Sequence, residues 1–139
     1  MAQASYVLHG ICFLIENGLS HRVFSCKCIT LGLDGIACLE DCLEAPSTEA
    51  ETVYIATLPS ITMQLMQKYE KEEGVIGIDD LDRWPVDSEA FAFLSATVST
   101  RSIASLQKNV LVSNRHEPRK LVVLARLVLI DTQILCIHE

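Results

Sequence analysis

A chain of 139 residues, half of them hydrophobic, has the length of one domain and enough apolar content to bury a core. That composition excludes disorder over most of the chain, and no apolar run approaches the roughly 20 residues that span a bilayer. The longest run, Leu121 to Ile130, is interrupted by Arg126.

The formal net charge of −7 is unevenly placed. Through Thr97 there are 15 acidic and 5 basic residues, and from Val98 onward 6 basic and 3 acidic. The first residues lack a basic region and a small-residue cleavage signature, so no secretory leader is expected. The six cysteines, Cys12, Cys26, Cys28, Cys38, Cys42 and Cys136, are then expected as reduced thiols in the cytoplasm.

In chain order, Tyr6 to Ile15 reads as an apolar strand and Asn17-Gly18 as a tight turn. Arg22 to Leu31 reads as the returning strand, with Phe24, Cys26 and Cys28 on one face and Ser25 and Lys27 on the other. Gly32, Asp34 and Gly35 break this pattern, and Ile36 to Leu43 suits a short helix because Leu39 and Leu43 are four apart. The acidic stretch Glu44 to Glu51, with Pro46, reads as an exposed loop.

Thr52 to Thr57 suits a strand. Ser60 to Glu73 reads as a helix on the recurrence of Ile61, Leu65 and Tyr69, with Gly74 as its left-handed cap. Val75 to Ile78 reads as a short strand, followed by the acidic turn Asp79-Asp80-Leu81-Asp82. Asp87 or Ser88 caps a further helix with Phe91, Leu94 and Val98 on one face. Ser99 and Thr100 give a second start signal, before a stripe of Ile103, Leu106 and Val110, so the segment reads as two consecutive helices or one bent helix. Two strands, Lys120 to Ile130 and Gln133 to His138, close the chain.

The expected fold is therefore a single α+β domain over 1–139. It has a mostly antiparallel sheet, N- and C-terminal β-hairpins, and helices packed on one face.

Chemical motifs are sparse. Cys26, Cys28, Cys38 and Cys42 provide four thiols, but not the turn-borne pairs that structural zinc sites use, so core packing is the expected role. No Cys-x-x-Cys opens a helix, and His9, His21, His116 and His138 carry no local signature of catalysis. Asp79, Asp80 and Asp82, with Glu70, Glu72 and Glu73 nearby, supply carboxylates. They miss the calcium-loop pattern, in which Leu81 and Arg83 would occupy ligand positions. Glycine-rich phosphate loops and Gly-x-Ser-x-Gly are absent from the sequence. Glu117-Pro118-Arg119-Lys120 departs from nuclease spacing by one residue and contains a proline. No cofactor is expected.

The basic residues Arg101, Lys108, Arg115, Arg119, Lys120 and Arg126 follow a strongly acidic stretch that would repel nucleic-acid phosphates. They fit an acidic partner better. The expected function is a non-enzymatic cytoplasmic regulatory or protein-interaction module acting through a charged surface. Arg115, Arg119 and Lys120 are its expected contact residues, and the expected partner is an acidic protein surface or a second copy in a homo-oligomer. The alternative is a small enzyme or metal-binding protein with a site from dispersed Cys, His and carboxylate residues.

Overall fold

The computed structural model describes residues 3–21, 23–39, 43–44, 49–109, 112 and 122. Helix and strand are mixed, as an α+β chain requires, but helix opens the sequence where a strand was expected. Helix α1 spans Gln3–Glu16. Val7, Leu8, Ile11 and Leu14 are buried along it, a spacing of one, three and three that follows a helical stripe. The apolar run is longer than the usual strand, and its length and period outweigh its continuity.

Asn17-Gly18 ends this helix instead of turning a hairpin. Gly18 takes φ 67° and donates to the Ile15 carbonyl at 3.0 Å, while Leu19 donates to the Leu14 carbonyl at 2.8 Å. These nested bonds are a Schellman cap, which asks for the same left-handed backbone as a tight hairpin turn. The expected N-terminal hairpin is thereby overturned.

The returning strand is also reduced. Strand β1 is Ser20–His21, Cys26–Cys28 form a single 3-10 turn, and β2 is confined to Ile29–Leu31. Ser25 starts the turn, its hydroxyl accepting from the Lys27 amide at 3.3 Å. The helix expected over Ile36 to Leu43 is replaced by β3, Ala37–Leu39, and β4, Leu43–Glu44.

The cause lies in the five-residue connection, residues 32–36, between β2 and β3. Gly35 donates to the Gly32 carbonyl at 2.9 Å and Gly32 to the Ile36 carbonyl at 2.8 Å, with Gly35 at φ 78°. The Asp34 carboxylate accepts from the Ile36 amide at 3.0 Å. A tight turn followed by a left-handed glycine is a hairpin device, so the chain reverses as a strand.

Two antiparallel pairs result among the described residues, not one sheet. β1 pairs with β4, placing Ser20 opposite Glu44 and His21 opposite Leu43. β2 pairs with β3, placing Ile29 opposite Leu39 and Leu31 opposite Ala37.

Helix α2 runs from Ala50 to Gln67, absorbing the strand expected at Thr52 to Thr57 and the end of the expected loop. Ala50, Tyr54, Leu58 and Ile61 are buried at intervals of four, four and three, so tertiary packing overrides the strand preference of Thr52, Val53 and Ile55. Pro59 lies inside this helix and is itself buried. It has no amide proton to give, and a mid-helix proline costs about 3 kcal/mol, so the surrounding core must offset that loss.

The helix ends at Lys68, in left-handed conformation at φ 69°, whose amide donates to the Gln64 carbonyl at 2.7 Å. Gly74 instead closes a 3-10 turn, Glu72–Gly74. The expected stripe is only one-third right: Ile61 is buried, whereas Leu65 and Tyr69 are about half exposed and Met63 and Met66 are buried in their place. Residues 75–78 form no strand. Ile76 and Ile78 still pack against Met63, Met66, Ala90 and Leu94.

Helix α3 spans Glu89–Ser99, and the Ser88 hydroxyl caps it by accepting from the Phe91 amide at 3.2 Å. Its buried face is Ala90, Phe93, Leu94 and Thr97, so Val98, at 58% exposure, faces away from the core that was expected to hold it. The short helix α4, Ile103–Gln107, buries Ile103 and Leu106. Helices α1, α2, α3 and α4 enclose the main core together with Phe24 and Cys28. Of the expected C-terminal strands, only Val122 is described, in helical backbone. The rest of both lies outside the described residues, as do residues 45–48 of the loop expected at 44–51.

Candidate functional site

Burial of titratable groups marks one place in this fold. His21, at the end of β1, is 2% exposed, and Tyr54, in the first half of α2, is 0% exposed. The Tyr54 hydroxyl accepts from the His21 amide at 3.2 Å and lies 2.9 Å from its Nδ1. One phenol oxygen thus serves two polar groups of His21, its backbone amide and its ring Nδ1.

Phe24 completes the cluster, its ring 5.3 Å from His21 and 5.0 Å edge-on from Tyr54. Burial pushes the Tyr54 phenol above its ordinary pKa, against the lowering effect of the His21 amide. The phenol thus stays protonated at neutral pH. The group is a hydrogen-bonded core cluster that ties β1 to α2.

A second cluster sits at the surface after α2. Asp79 accepts from the Tyr69 hydroxyl at 2.5 Å and pairs with the Lys71 ammonium at 2.5 Å, while its amide donates to the Gln67 side chain at 3.3 Å. The Lys71 and Tyr69 hydrogen bonds hold the Asp79 carboxyl below the usual carboxylate range, and the same contact raises the Tyr69 phenol. Asp80 accepts from the Arg83 amide at 2.9 Å. These carboxylates therefore close the chain reversal between α2 and α3. Among the described residues no three His, Cys, Asp or Glu side chains converge as a metal site requires.

The four described cysteines, Cys12, Cys26, Cys28 and Cys38, are free thiols. Cys28 is buried and its thiol donates to the Val23 carbonyl at 3.4 Å; Cys26 is half-buried and reaches the Ile61 carbonyl at 3.8 Å. The expected common face with Phe24 is retained by a 3-10 turn instead of a strand, less completely at Cys26. Burial pushes the Cys26 and Cys12 thiols upward, which opposes the thiolate that nucleophilic or metal chemistry requires. Cys38 is exposed on β3, and Cys42 and Cys136 lie outside the described residues.

A cleft between α1, β2, α2 and α3 is lined by Leu8, Ile29, Leu58, Ile61, Leu65 and Phe93 among others. Its free volume of about 20 Å³ is of the order of one water molecule, and its walls are almost wholly apolar. It offers no convergent polar groups to orient a substrate.

Arg115, Arg119 and Lys120, with His116 and His138, lie outside the described residues. Arg101 and Lys108 flank α4 and are exposed. The His21–Tyr54 pair was missed by sequence reasoning. Its partners are 33 residues apart, and Tyr54 was assigned to a strand. No helix among the described residues is long and apolar enough to cross a membrane.

No protein-family model, curated protein or solved structure matches the chain.

Proposed function

We propose that this chain is a non-enzymatic regulatory or protein-interaction module of the cytoplasm that acts through a charged surface. The supporting observation is the charge division of the sequence. The basic residues Arg115, Arg119, Lys120 and Arg126 follow a segment whose carboxylates Glu72, Glu73, Asp80, Asp82 and Asp87 are all exposed in the connection between α2 and α3. A basic segment and an exposed acidic connection in one chain are complementary, so the partner is an acidic protein surface or a second copy.

The use of buried polar groups supports the same reading. His21 and Tyr54 join β1 to α2 through an internal bond, and Cys28 and Thr97 donate to nearby backbone carbonyls, so these buried groups serve the structure. The four free thiols suit a reducing compartment.

Sedimentation of the purified chain at low and high salt tests the self-pairing arm. Exposed charges are screened beyond about 8 Å at physiological ionic strength, so self-association through them should weaken as salt rises. A monomer at every salt concentration would leave the acidic partner as the sole arm of the proposal.

A further inference from the structure

We draw no further inference here: the strongest candidate, the apolar surface patch presented by Leu31, Leu33 and Ile36 on the β2–β3 hairpin, carries nothing because no feature of the structure shows what covers it.

Discussion

The Tyr54 hydroxyl meets both the backbone amide and the Nδ1 of His21, so one side chain of α2 satisfies two polar groups of β1 inside the core. Tyr54→Phe keeps the ring and its edge-on contact with Phe24 but removes the hydroxyl that meets both His21 groups. Leaving buried partners unsatisfied costs about 1–3 kcal/mol, and urea unfolding of the variant should show a loss of that size. A loss under about 0.5 kcal/mol would mean that the hydroxyl contributes only the marginal share of a solvated bond.

The buried phenol and thiols also set a direction for pH dependence. Tyr54, Cys26 and Cys12 have folded pKa values above their unfolded ones, chiefly because burial penalises the charged form. Folding therefore favours the protonated groups, and their stabilisation is complete below the unfolded values of 9.0 for thiols and 10.0 for the phenol. It is lost as pH rises through the folded values. The unfolding midpoint should fall as pH rises above 9.0, and Cys26→Ala should make that fall shallower. A midpoint that rises in this range would reverse the assigned sign.

Asp79 behaves in the opposite sense, since Lys71 and Tyr69 depress its pKa. Its contribution is present above the unfolded value of 3.8 and is lost as pH falls through the folded one. Because the group is exposed, the sharper readout is Tyr69. Asp79→Asn should bring the ionisation of that phenol to lower pH in an ultraviolet titration of the three tyrosines. An unchanged titration would break the Tyr69–Asp79 bond as described.

Trp84 gives a local probe. It is the one tryptophan of the chain, and its indole N–H donates to the Met66 carbonyl at 3.1 Å beside Met63, Ala90 and Leu94. Trp84→Phe should cost about 1 kcal/mol from that hydrogen bond, plus any packing lost. In the parent chain, fluorescence should report the docking of α2 on α3. A tryptophan emission already typical of full exposure in the folded protein would contradict this packing.

Thiol accessibility separates the described cysteines. Cys38 is exposed, Cys12 and Cys26 are half-buried with raised pKa values, and Cys28 is buried. Alkylation of the native protein, mapped by peptide mass, should mark Cys38 first and Cys28 last. Early labelling of Cys28 would show that the turn Cys26–Cys28 opens readily.

Legibility in the sequence followed the range of the determining interaction. Ser88 capping α3 was readable because donor and acceptor are three residues apart, whereas the start signal read at Ser99 and Thr100 falls at the end of α3, and α4 begins after Ser102, whose side chain makes no cap bond. Asn17-Gly18 was not, because a hairpin and a Schellman cap place the same demand on the glycine and differ only in what precedes it. Thr52 to Thr57 carries strand-favouring side chains and meets Pro59, yet burial of Tyr54, Leu58 and Ile61 together decides for one helix through the proline. The Asp34-Gly35 turn was legible in principle and was outweighed by the Leu39–Leu43 spacing. The His21–Tyr54 cluster depends wholly on tertiary placement, so no local pattern announces it.

The proposal that a charged surface carries the function stands most directly on one comparison. The parent chain and its Arg119→Glu/Lys120→Glu variant would each be immobilised and tested for capture of a second copy and of acidic proteins at low and high salt. The account predicts capture by the parent at low salt, its loss at high salt, and its loss in the variant with the unfolding midpoint unchanged. Undiminished capture by the charge-reversed variant would contradict it.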